Sequence, residues 1–158
     1  MGRVTFEPAR LHHALELAPR LRAGDAAEVR ASDGVDAEEA LVDSLRWTER
    51  HGGGAFAGFL DGDLAALFGV ARRSLISPVG VPWLLTGEVV SRHPFAFFRA
   101  SRAVVATWLE DFEELEQNVD ARYTEALRWA ARLGFMVGPP KPFGVHGLPF
   151  HRITLRRS

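Results

Sequence analysis

Glu88 and the polar residues that follow it, Ser91, Arg92 and His93, are side chains whose types and spacing could carry chemistry. A carboxylate at the end of an apolar run, if buried beside Trp83 or the phenylalanines, has a raised pKa and can accept an amine proton near neutral pH. The same residue paired with an arginine is an ordinary strand end. Ser91, Arg92 and His93 stand just before Pro94, which suits the first turn of a helix, and Arg99 and Arg102 fall three apart within that helix. A helix start with cations beside it can hold an anion, although one-turn arginine pairs also form solvated faces. The best candidate phosphate-binding turn, Val89 to Phe98, contains no glycine, and its Pro94 lacks an N–H. His12 and His13 are adjacent and project from different parts of a helix, and His146 and His151 lie in or beside a loop. Neither pair is read as a metal site.

The elements that must position these groups follow from periodicity. Val4 to Glu7 alternates as a strand and Arg10 to Leu21 repeats as a helix. Arg22 to Gly34 is small, charged and punctuated by glycine, so it is expected to connect. Asp36 caps a second helix that ends at His51 and the glycines 52 to 54. Ala55–Leu60 and Leu64–Ala71 flank Asp61-Gly62, a pair favoured in type I′ hairpins. Val81 to Val90 reads as a central strand with Glu88 in its C-terminal half. Phe95 to Leu109 is a third helix, Leu115 to Asp120 a strand, and Ala121 to Leu133 an amphipathic helix stopped by Gly134. Phe135–Val137 and His151–Leu155 are the last strands, joined by a long loop over 138–150. The order β-α-α-β-β-β-α-β-α-β-β predicts an α/β (α+β) mixed sheet covered by helices, as a single domain over 1–158.

The 158 residues are 47% hydrophobic and 25% charged, a globular composition, and the net charge of −1 provides no field to attract nucleic acid. There is no cysteine, which removes disulfides, thiolate metal ligation and a cysteine nucleophile. No apolar run approaches the roughly 20 residues that span a bilayer, so neither a membrane nor nucleic acid is an expected partner.

The run Ala121 to Phe135, ending in Leu133-Gly134-Phe135, resembles the last crossover helix of the GNAT family of N-acetyltransferases, and the order of elements is similar to theirs. More narrowly, Pro82-Trp83-Leu84-Leu85, Phe98-Arg99-Ala100-Ser101-Arg102, Asn118-Val119-Asp120-Ala121-Arg122, Arg128-Trp129 and Pro149-Phe150-His151 resemble GNAT-like internal virion or virion-assembly proteins of podophages. The broader resemblance implies a site for the acetyl-CoA pyrophosphate on Val90, Ser91 and Arg92, aided by Arg99. It implies a cofactor-arm contact at Tyr123, where the family commonly has Asn, and a base at Glu88. The family's usual acid, a Tyr four residues before the Gly, falls at Ala130. The narrower resemblance implies a phage protein, and the missing glycines and this alanine imply that it lacks efficient acetyl transfer and a cofactor. Its expected partners are other phage structural proteins, contacted through the 138–150 loop and the 94–98 helix start, in the host cytoplasm during assembly. A homo-oligomer is compatible. The alternatives are an active N-acetyltransferase using acetyl-CoA, with Glu88 as base, and a regulator that docks through the Pro-rich loop.

Overall fold

Asp61 and Gly62 both take positive φ, 50° and 85°, and turn the chain between β2 (Gly54–Leu60) and β3 (Asp63–Arg72) as the I′ signature requires. In the computed structural model, which describes residues 2–158, this hairpin forms the second and third strands of a seven-stranded sheet. The other strands are β1 (Val4–Pro8), β4 (Val79–Thr86), β5 (Glu114–Asp120), β6 (Met136–Phe143) and β7 (Leu148–Arg156), in the order β1-β2-β3-β4-β5-β7-β6. Leu64 to Ala71 are all buried, which explains why β3 reads as a continuous apolar run and not as an alternating one.

Helices α1 (Leu11–Leu17), α2 (Ala23–Asp33) and α3 (Ala37–Arg50) pack Leu17, Val29 and Leu41 on Leu67 and Leu85. Helices α4 (Pro94–Asp111) and α5 (Thr124–Arg132) pack Val105 and Ala130 with Leu115, Val119 and Ile153. The Asp36 carboxylate accepts the Glu39 N–H at 2.9 Å, and Gly134 follows α5 at φ 105°. Both terminators therefore act where the local pattern places them. No helix among the described residues is long and apolar enough to cross a membrane.

Three expectations need correction. Arg22 to Gly34 is no connection: Ala23–Asp33 forms α2, closed by Gly34 at φ 72°, because Asp25, Val29 and Ala31 are buried and packing overrides weak helix propensity. The run 81–90 is not strand to its end. β4 stops at Thr86, and Glu88–Arg92 winds into a 3-10 turn. The long 138–150 loop does not exist either, since β6 and β7 pair from Phe143–Leu148 back to Met136–Thr154, with an irregularity between Val137 and Pro140. Pro139, Pro140 and Pro142 fit β6 because it is an edge strand. The tip of this hairpin docks on α2, where the Val145 N–H donates to the Ser32 carbonyl at 3.0 Å.

β4 and β5 run parallel and pair only at Val79–Glu114 and Gly80–Leu115. Gly80 makes this junction tight, since a Cβ there would lie 2.8 Å from the Phe112 ring. Gly80→Ala is therefore expected to destabilise the fold by about 1–3 kcal/mol through overpacking, read as a lower urea midpoint at unchanged slope. An unchanged midpoint would show that the junction tolerates the methyl group.

Candidate active site

Past Gly80 and Leu115 the two strands diverge, leaving freed backbone edges that need other partners. At the C-terminal end of β4, the Thr86 carbonyl accepts the Arg22 N–H at 2.9 Å and Leu21 bridges Gly87. The segment entering α2 thus replaces the missing neighbour strand. Two α2 carboxyls complete the mouth. Asp25 accepts hydrogen bonds from the Thr86 hydroxyl and, at 3.1 Å, from the Tyr123 hydroxyl, while Glu28 Oε2 accepts the Asp120 N–H at 3.0 Å. One helix therefore holds the ends of both diverging strands.

These carboxyls are unlike the surface ones. Burial pushes Asp25 up to about 6 against the opposing pull of Thr86, Tyr123 and Arg22. Burial pushes Glu28 further, to about 8, and the neighbouring charges of Asp25 and Asp120 add to it although the Asp120 N–H opposes. Burial and the adjacent Asp25 also raise the Tyr123 phenol, which stays protonated. For Asp120 burial again acts upward, but the Arg122 guanidinium, 2.7 Å away, outweighs it and holds the carboxyl below the usual range. Gly24 leaves the space for this arrangement, since a Cβ there would stand 2.4 Å from the Tyr123 ring.

A cavity of about 1180 Å³ reaches from α2 and α3 on one face, through the opening between β4 and β5, to α4 and α5 on the other. Glu28, Asp25, Asp43 and Trp47 line the first part, and Phe97, Phe98 and Trp129 line the second. Phe97 stacks on Trp129 with ring centroids 5.7 Å apart. The Trp129 indole N–H is buried with no hydrogen-bond partner among the described residues. A second cavity of about 760 Å³ lies against Arg22, Arg92, Arg122, Ser91, Glu88 and Tyr123.

Of the residues singled out from the sequence, Ser91, Arg92, Tyr123 and Glu88 gather around this second cavity, and Val90 is buried against the first. Arg99 is exposed on α4 and lines neither. Glu88 is exposed in the 3-10 turn, so the burial its role as base required is absent. Pro94 opens α4, and the Phe97 N–H is already given to His93 at 3.0 Å, which leaves this helix start few free donors. Phe95 is the aromatic left exposed there, at 77%. His12 and His13 do not project apart. Their rings lie 4.1 Å from one another, and Glu7 joins them within 4.8 Å. His13 Nδ1 accepts the Arg10 N–H and its Nε2 meets Glu7 at 2.7 Å, so both nitrogens already have protein partners.

Asp25 and Glu28 were missed from the sequence. The signal available was the stripe Asp25, Glu28, Val29 and Ser32, which lies on one helix face.

No family model and no curated protein sequence matches the chain. Solved structures do. An acetyltransferase of the GNAT family from Streptococcus pneumoniae has a TM-score of 0.64 at 13% identity, over 98% of this chain and 100% of that one. An aminoglycoside acetyltransferase solved with coenzyme A has 0.71 at 15% identity, over 98% and 95%. The ribosomal L7/L12 alpha-N-protein acetyltransferase RimL, also with coenzyme A, has 0.72 at 10% identity, over 97% and 93%. The chain has the GNAT acetyltransferase fold.

Glu28 binds its proton more tightly in the folded chain than in the unfolded one, where its pKa is about 4.3. Its contribution to stability is then complete below about pH 4.3 and is lost as the pH rises through about 8. Asp25 acts in the same sense up to about 6. The thermal midpoint of Glu28→Gln, which keeps an acceptor for the Asp120 N–H, should fall less than wild type between about pH 5 and 8. Parallel curves would remove Glu28 as the titrating group.

Proposed function

We propose that the chain is an N-acyltransferase that moves an acyl group, acetyl in the simplest case, from a coenzyme A thioester to the amine of a small molecule or protein. The observation that carries this reading is the pair of carboxyls, Asp25 buried and Glu28 half-buried, at the mouth of the opening between β4 and β5. A carboxyl raised to about 8 is able to accept an amine proton as the pH approaches and passes that value.

The residues present fit such a donor molecule, by a different set from the one its fold would suggest. Arg92 and the Ser91 hydroxyl offer a guanidinium and a hydroxyl to the pyrophosphate, in place of backbone N–H groups at α4, and Arg22 and Arg122 border the same cavity while paired with Glu125 and Asp120. The groove of Phe97, Phe98 and Trp129 suits the arm, and the unpartnered Trp129 N–H suits one of its carbonyls. When bound, the thioester supplies an electrophilic carbonyl carbon.

The chain's own residues manage the protons. Glu28, held in place by the Asp120 N–H, takes a proton from the acceptor amine at its carboxylate. Tyr123 keeps its hydroxyl proton through burial and through its bond to Asp25, so it acts at this mouth as a hydrogen-bond donor. Glu28 or solvent passes the proton removed from the amine to the thiolate released when the C–S bond breaks. Thr86 and Arg22 hold Asp25 and the start of α2 against β4. Release of free thiol from acetyl-CoA across a panel of amines tests the reading. Glu28→Gln should lower kcat by about 10²–10⁴ with the fold intact. No thiol release with any amine from the wild type would sink it.

The second reading is a bacteriophage virion or virion-assembly protein in which the transfer machinery is disused. It rests on the resemblance of the five separated motifs, and the observation that favours it is the helical, glycine-free turn before α4 with its missing Pro94 N–H. Phe95 and the fully exposed Leu75 and Ile76 are available for contacts in an assembly. Mass spectrometry of purified phage particles should then find the chain in stoichiometric amounts, and particles assembled normally without it would count against a virion role.

A further inference from the structure

At the level where the backbone ladder between β4 and β5 has been lost, one side chain spans the gap. The Gln117 Nε2 donates to the Pro82 carbonyl at 2.6 Å, and its Oε1 accepts the Asn118 N–H at 2.8 Å. A single carboxamide thus offers a donor to one strand and an acceptor to the other, as the peptide unit of an intervening strand would. Pro82, Gln117 and Asn118 all line the large cavity that passes through this opening.

We propose that Gln117 is a displaceable plug. Its carboxamide occupies the opening in the free protein, and a ligand with an amide in an extended chain enters by taking over its partners. This rests on the acyltransferase reading and goes beyond it, because it assigns to Gln117 control over how strongly the donor molecule binds. Displacement is local. One of the two bonds is to the residue's own neighbour and the other to a single carbonyl, so a rotamer change of a half-buried side chain frees both. The site left behind holds the Pro82 carbonyl as acceptor and the Asn118 N–H as donor. The unpartnered Trp129 N–H lines the same cavity as a further donor.

A plug of this kind lowers apparent affinity by the fraction of molecules in which it is closed. Titration calorimetry with coenzyme A on the wild type, Gln117→Ala and Gln117→Val tests this, with thermal unfolding as a check on folding. The valine variant keeps a residue suited to a strand if alanine loosens β5. The expected result is about tenfold tighter binding in a folded variant. Binding seen only in the variants also supports the plug. Equal or weaker binding in folded variants overturns it and makes Gln117 a strut, while the acyltransferase reading stands. No binding to the wild type or to either variant overturns both.

Discussion

β4 and β5 part company after two residue pairs, and the architecture around the site answers that parting. Two parallel strands that diverge inside a sheet expose backbone donors and acceptors in a region from which water is largely excluded, and such groups must find partners. The chain supplies them from three places. Leu21 and Arg22 extend along the end of β4, Glu28 reaches the N–H of Asp120 on β5, and Gln117 spans the gap between them. The opening is thus a built feature, held apart at its mouth by α2 and bridged further in by one carboxamide.

This solution brings carboxyls into a poor environment for charge. Asp25 and Glu28 lie close to each other and to Asp120, and only Asp120 has an arginine at ion-pair distance. Asp25 is compensated by two hydroxyls and Glu28 by one backbone N–H, which is less than a full charge needs. Both groups therefore hold protons to higher pH than exposed carboxyls do. The arrangement that closes the sheet's broken edge is the same one that raises the proton affinity of two carboxyls, which ties folding to their titration at a single place.

The chain has the GNAT fold, yet it departs from the phosphate turn that the resemblance implies. A 3-10 turn and Pro94 reduce the backbone donors before α4, and three arginines from separate elements face a cavity beside it. Arginine side chains can do for an anion what a ring of N–H groups does, with binding then more sensitive to salt.

Much of the fold was legible in the sequence because its signals are local. Asp61-Gly62 turns, Asp36 caps and Gly134 stops a helix through the φ/ψ and hydrogen bonds of a few adjacent residues. The order of strands and crossover helices followed from periodicity, and with it the mixed sheet. The site was less legible. Glu88 stands at the end of an apolar run, yet a 3-10 turn rotates it to solvent. Asp25 and Glu28 sit in a stretch whose composition suggests a loop, and they lose water only because Thr86 on β4 and Asp120 on β5, some 60 and 90 residues further along, supply a hydroxyl and a backbone N–H for them to accept. The sequence by itself determined the order of the seven strands and of the two crossover helices, while α2 and the full length of β6 needed the packed structure. The tertiary structure decided which carboxyls lose water, since desolvation depends on what packs around a residue and not on what precedes it in the chain.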